Sequence, residues 1–461
     1  MVKQRYAVFA AAVGLGLAMT AGQAAAEGAA GQQPSMGMFS KVAAVVSDKC
    51  MACHSRGYDL PFYAKVPGIK QIIEQDYNDG IRALDLNVEL VKSADKPVGE
   101  TVLAKMEYVI ENDTMPPAKF ALVHWGSRLS ADDKKNILDW ARETRAAHYV
   151  TDPAPAHANE PIQPIPTTAR VDEKKAALGQ KLFEDKRLAT DSTLACAGCH
   201  FYDRGGTDNR KFSLGIRDQE GGANPPTMFN ATYNLAQFWD GRATDLANQV
   251  FIGPPLDPKE MGNKDWDEIV GRLSQDQALA AEMKAVYADG MTGPNIADAI
   301  GEYEKTLVTP NSRFDKWLRG DDQAITDDEK KGYERFKAFR CASCHVGKSV
   351  GGQSYEFIDL KKDYFADRKG QEPLGSDNGR FNVTKKEEDK HRIKVPNLRN
   401  IEMTSPYLHD GSVDSLDEAV RVMGVYCAGL PVPEGDRKLI VGFLRTLTGE
   451  HPKLSGAKVE K

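Results

Sequence analysis

Three times along its 461 residues the chain reads Cys-x-x-Cys-His: at Cys50, Cys53 and His54, at Cys196, Cys199 and His200, and at Cys341, Cys344 and His345. No other feature narrows what this chain can fold into so far. Two thiols two positions apart, followed at once by an imidazole, form the attachment signature of c-type haem. The thiols become thioethers on the haem vinyl groups and the histidine ligates iron. Six of the seven cysteines are used this way. A disulfide or redox reading would leave the three histidines without a role. The sequence therefore predicts three covalently bound haem c groups. The seventh cysteine, Cys427, reads as a small buried apolar residue.

Haem c is attached outside the cytoplasm, and the N-terminus agrees. Lys3 and Arg5 precede an apolar stretch from about Ala7 to Ala21, and Ala24-Ala25-Ala26 forms a cleavage signal before Glu27. Residues 1–26 are read as a signal peptide directing the chain to the periplasm, with an uncleaved anchor as the alternative. The apolar run is short for a membrane span. Net charge is −6 for the whole chain and −8 once Lys3 and Arg5 are removed. Such a surface does not suit a nucleic-acid partner.

Residues 27–150 are predicted to form an N-terminal monohaem domain. In it, Asp113-Thr114-Met115-Pro116-Pro117 is the kind of turn that carries the methionine ligand of small cytochromes, and thioether sulfur stabilises ferrous iron. Met115 is the candidate sixth ligand here, and His124 is its rival. Ser130-x-x-Asp133 predicts a capped helix start. Residues 151–170 are proline-rich and predict an extended, semi-rigid linker. A helix is expected from Val171 through Leu178 and Leu182. Gly- and Asn-rich loops should follow His200. Helical patterns recur around residues 292–319, from the capping box Thr326-x-x-Glu329 into the third motif, over Leu416–Met423, and again at Leu439, Ile440, Phe443, Leu444 and Leu447. Residues 346–392 read as loop.

From about Leu178 to Glu450 the chain resembles the bacterial di-haem cytochrome c peroxidases, the family that includes MauG-type enzymes. The resemblance rests on ordered motifs: Leu178-Gly179-x-x-Leu182-Phe183, Phe238-Trp239-Asp240-Gly241-Arg242, Glu260-Met261-Gly262, Thr306-Leu307 with Asn311-Ser312-Arg313-Phe314-Asp315, Val395-Pro396-x-Leu398-Arg399-Asn400, and Pro406-Tyr407-Leu408-His409-Asp410-Gly411. The N-terminal domain resembles the extra module of tri-haem members. The implied fold is mainly α, with three cytochrome c-like haem modules and long irregular loops. Residues 171–325 would form the peroxidatic domain and residues 326–461 the electron-transfer domain.

The resemblance implies that His200 holds the peroxide-reacting haem, and that His345 and Met423 ligate a high-potential haem. Trp239 would conduct electrons between them, and Gln249 and Glu260 would line the peroxide pocket. A calcium ion would be held by the Asn224 side chain and the carbonyls of Thr404 and Pro406, oxygen ligands suited to that ion. Cleaving the peroxide O–O bond needs a group that carries a proton from one oxygen to the other, which suits a carboxylate such as Glu260. The expected substrate is hydrogen peroxide, and the donor is a cytochrome c, a cupredoxin or a quinol. A homodimer is compatible with the resemblance.

Many members place a histidine sixteen residues after the peroxidatic motif; here that position is Ile216. The His200 iron is therefore expected to be open in the oxidised state, unless Met228 or Met261 occupies it. The rival functions are a MauG-like long-range oxidase, against which Met423 speaks, and an electron-transfer cytochrome without catalysis.

Overall fold

The computed structural model describes residues 36–58, 66–92, 96–123, 125–368 and 372–454. The signal segment, residues 1–26, lies outside the described residues. Those described fall into two compact units, one reaching Val150 and including Pro155–Pro161, the other comprising Thr151–Ala154 and Ile162 onward. Helices dominate both, as expected. The strands Tyr355–Phe357 and Arg392–Lys394 pair antiparallel, with Tyr355 opposite Lys394.

In the first unit the helices Met36–Lys49, Glu100–Glu111 and Ala131–His148 enclose a core of Val42, Val46, Leu103, Met106, Ile137 and Trp140. The predicted cap is present: Ser130 Oγ accepts from the Asp133 amide at 3.1 Å, and the Asp133 carboxylate accepts from the Ser130 amide at 2.9 Å. Arg145 is fully buried on the last of these helices. It donates to Glu100 and Glu107, each at 2.7 Å, so the charge is paired as burial requires.

The second unit holds two hydrophobic cores. One gathers Leu178, Leu182, Phe183, Met228, Phe229, Ile296 and Ile300. The other gathers Phe314, Tyr333, Phe336, Ile393, Tyr407, Leu416, Phe443 and Leu447. Each is organised by a helix pair that crosses at a glycine. Helix Glu173–Phe183 lies on Gly293–Glu304, where a Cβ at Gly179 would sit 1.8 Å from the Ala299 carbonyl oxygen. Helix Asp327–Ala338 lies on Glu434–Arg445, where a Cβ at Gly332 would sit 2.1 Å from the Leu439 carbonyl oxygen. Only hydrogen fits at either crossing, so the backbones meet directly.

The Thr326–Glu329 capping box forms as predicted, with Glu329 accepting from the Thr326 amide at 2.8 Å. The single helical region expected over 292–319 is instead two helices, Gly293–Glu304 and Arg313–Leu318. The β-branched residues Thr306, Val308 and Thr309 and then Pro310 separate them, since proline cannot continue a helix. The loop expected over 346–392 contains the strand Tyr355–Phe357 and the short helices Tyr364–Asp367 and Phe381–Thr384. Part of the proline-rich stretch is structural: Ile162 and Ile165 are fully buried in the second unit, and Ile162 bridges to Gly347.

Candidate functional site: three haem-attachment turns and a buried carboxyl

Each Cys-x-x-Cys-His motif closes a single tight turn. The histidine amide donates to the first cysteine's carbonyl at 3.1 Å for His54, 3.0 Å for His200 and 2.9 Å for His345. None of the seven cysteines is paired in a disulfide. Burial pushes the Cys341 and Cys50 thiols up to about 12 and that of Cys199 to about 11.

The histidines share one further contact. Nδ1 of His54 lies 2.9 Å from the Leu84 carbonyl, that of His200 lies 2.9 Å from Gly206, and that of His345 lies 3.2 Å from Val350. A carbonyl only accepts, so Nδ1 carries the proton and Nε2 keeps its lone pair for a metal. Burial lowers all three pKa values, His345 to about 4. Two thiols and a neutral, oriented imidazole at each turn fit a covalent haem.

Glu260 lies beside the second turn. Its carbonyl accepts from the Ile216 amide at 2.9 Å, and a Cβ at Gly215 would fall 1.9 Å from the Lys259 oxygen. The 213–216 segment therefore runs directly against the Glu260 loop. The carboxylate is close enough to raise the thiols of both Cys196 and Cys199. Burial, reinforced by Asp257 and opposed by Arg242, lifts Glu260 to about 7. Such a carboxyl exchanges its proton readily near neutral pH. Ile216, Met228 and Met261 are all buried in the same core. Gln249 is half-buried on the Leu246–Ile252 helix.

A second acid in this region escapes sequence reasoning. Glu304 ends the Gly293–Glu304 helix, buried, with Oε2 lacking a hydrogen-bond partner among the described residues. Burial raises it to about 8, and it too raises the Cys196 thiol. Its signal is an acid four residues after Ile300 on an apolar helical face. Lys394 is the cationic counterpart. It is 5 % exposed, burial lowers it to about 8, and it has no carboxylate partner among the described residues. Buried groups of this kind suit a site whose charged cofactor supplies the missing partner.

Trp239 packs against the second core. Its Nε1 donates to the Asn224 carbonyl at 2.8 Å, and its own carbonyl accepts from the Lys394 amide at 2.8 Å. Asn224 is buried; its amide donates to the His409 carbonyl at 2.9 Å, and Nδ2 donates to the carbonyls of Arg210 and Lys211. Oδ1 is the side-chain acceptor that remains. Thr404 and Pro406 belong to the segment that Asn209 pins, donating to the carbonyls of Met403 and Ser405 at 2.7 and 3.0 Å. The structure thus brings Asn224 against the 404–409 stretch.

Met423 and Cys341 both pack on the second core. Cys427 donates to the Ile358 carbonyl at 3.1 Å and lies 3.7 Å from the Met423 sulfur; burial pushes its thiol far up. In the first unit Met115 is 38 % exposed, and His124 lies outside the described residues.

Comparison with known proteins places these sites in a family. Residues 173–323 match the di-haem cytochrome c peroxidase family, and residues 13–143 match a haem-binding domain. The chain is 46 % identical over 413 residues to cytochrome c peroxidase Ccp of Escherichia coli, covering 89 % of this chain and 88 % of that protein. It is 43 % identical to cytochrome c551 peroxidase of Nitrosomonas europaea, covering 64 % of this chain and 86 % of that one. Among solved structures, a MauG-like protein associated with microbial copper homeostasis aligns with a TM-score of 0.56 at 25 % identity, over 67 % of this chain and 97 % of that one. With such identity running through both units, the chain belongs to the bacterial di-haem cytochrome c peroxidase family and is a haem-binding peroxidase.

Proposed function

We propose that this is a periplasmic tri-haem peroxidase in which Glu260 carries the proton of hydrogen peroxide at the His200 site. When bound, three haems would supply electron relay and, at His200, the iron chemistry that reduces peroxide. Cys50, Cys53 and His54 would hold the entry group; Cys341, Cys344, His345 and Met423 the high-potential one; Cys196, Cys199 and His200 the reactive one. Met115 is the proposed sixth ligand in the first unit. Trp239 conducts between the two groups of the second unit, and the Gln249 amide orients peroxide.

Glu260 in its ionised form would take the proton from the near oxygen of the peroxide and return it to the far oxygen, which leaves as water as the O–O bond breaks. Two electrons from the donor and two further protons convert the near oxygen to a second water. The observation that carries this reading is a carboxyl buried against the His200 turn and poised at about 7. Buried Ile216, where a blocking histidine would otherwise stand, favours a site open without prior reduction. Asn224, Thr404 and Pro406 are the proposed calcium ligands, and the bond from the Asn224 amide to the His409 carbonyl, in the segment that carries the other two, supports that assignment. The electron donor is a small redox protein or a quinol.

Steady-state peroxide reduction with a reduced small cytochrome c tests the assignment. Loss of general acid–base catalysis in Glu260→Gln should lower kcat by about 10²–10⁴-fold. Full activity in that variant would remove Glu260 from the mechanism.

A further inference from the structure

A line of aromatic rings leads away from Trp239 toward the surface. The Trp239 and His409 rings meet edge-on with centroids 6.3 Å apart. His409 and Tyr364 are 6.5 Å apart, and Tyr364 and Tyr426 are 5.4 Å apart, nearly perpendicular. His409 and Tyr364 are buried, at 1 % and 6 % exposure, whereas Tyr426 is partly exposed. The hydrogen bonds along the line are graded in a way that bears on redox chemistry. Trp239 Nε1 donates to a backbone carbonyl, which cannot take up its proton. An indole oxidised there stays a cation and remains strongly oxidising. Each tyrosine instead donates to a carboxylate: Tyr364 to Asp410 at 2.9 Å, and Tyr426 to Asp367 at 2.9 Å. A phenol with such a partner loses its electron and its proton together. His409 is held between them by Asp377 at 2.8 Å, and Arg368 pairs with both Asp377 and Asp410.

We propose that Trp239, His409, Tyr364 and Tyr426 form an exit route by which an oxidising equivalent left on Trp239, when peroxide has been consumed without a donor electron, reaches the protein surface. The route rests on the reading of Trp239 as the conduit between the two haem sites. One electron leaves Tyr364 and refills the indole, while the Tyr364 proton moves to Asp410. Tyr426 then returns an electron to Tyr364, which recovers its proton from Asp410, and the Tyr426 proton moves to Asp367. A small one-electron reductant of the phenol or ascorbate class finally supplies an electron to Tyr426, which takes its proton back from Asp367. His409 bridges the first gap without itself being oxidised. Tyr426 thereby becomes a second, peripheral site of one-electron oxidation.

The test uses the oxidised holoprotein mixed with hydrogen peroxide and a nitroso spin trap, without electron donor, followed by peptide mapping of the trap adduct. The adduct is expected on Tyr426. Tyr364→Phe should lose it while keeping wild-type peroxide turnover with a reduced cytochrome c, and Trp239→Phe should lose it as well. An undiminished Tyr426 adduct in either variant overturns the route. So does a wild-type protein that turns over peroxide yet places no adduct on Tyr426. Full donor-driven turnover in Trp239→Phe would sink the conduit reading separately. Absence of peroxide turnover altogether would remove both the peroxidase reading and the route.

Discussion

Glu260→Gln should move activity and stability in opposite directions. The carboxyl sits at about 7 in the folded protein against an ordinary value of 4.5, chiefly because burial disfavours the anion. Below pH 4.5 the group is protonated whether the chain is folded or not, so it costs nothing. As pH rises from 4.5 to 7 the unfolded chain ionises first, and folding must hold a proton that the unfolded chain releases. Above pH 7 both forms are ionised, and the native state carries the full penalty of a buried anion. The displacement corresponds to ~3 kcal/mol at 1.36 kcal/mol per pH unit. Glutamine removes the charge and keeps the shape. Urea unfolding of the holoprotein, followed by far-UV circular dichroism, should therefore show equal stability for the two proteins below pH 4.5. By pH 8 the variant should be ahead by up to ~3 kcal/mol, even as its peroxide turnover collapses. A stability gain that does not depend on pH would refute the burial argument. An unchanged turnover would refute the proton-transfer role.

Four further outcomes follow from packing, pairing and ion binding. Gly179→Ala, which drives a methyl into the Ala299 carbonyl, should destabilise by about 3 kcal/mol. Gly271→Ala, on an exposed helix position with open space around it, should stabilise by about 0.5–1 kcal/mol; calorimetry on both variants separates steric conflict from a general glycine effect. Arg399 is fully buried and bonds to Asp315, Ser312 and the carbonyls of Lys348 and Gln163. Arg399→Met should cost ~3–5 kcal/mol by stranding the Asp315 charge, and Asp315→Asn in the same chain should recover part of that in denaturant titrations. Readdition of calcium to chelator-treated protein at ~100 times its Kd should raise stability by about 2.7 kcal/mol. Asn224→Ala should abolish that response, and a response intact in this variant would displace Asn224 from the ligand set.

What could be read from residues alone was what local chemistry decides. The three attachment turns, the caps at Ser130 and Thr326 and the helical face of Leu439, Ile440, Phe443 and Leu444 depend on neighbours a few positions apart and are present, whereas Leu447 falls beyond the end of that helix at Arg445. What depends on distant chain was not legible. Glu304 and Lys394 look like ordinary surface charges until folding encloses them. The 151–170 stretch announces itself by its prolines, yet Ile162 and Ile165 are anchored in the second unit by partners more than a hundred residues away. The break after Glu304 went unseen because the apolar spacing continues through Leu307 even though the backbone does not. His409 carried no functional signal either, since its neighbours Asp377 and Tyr364 come from a region that reads as loop.

Asn224 contributes its backbone oxygen to the Trp239 indole, its backbone nitrogen to the residue beside that ring, and its side chain to the loop carbonyls of Arg210 and Lys211. A single residue thus ties three pieces of chain together through its backbone and its side chain. Shortening the residue would loosen that joint and free the indole to swing.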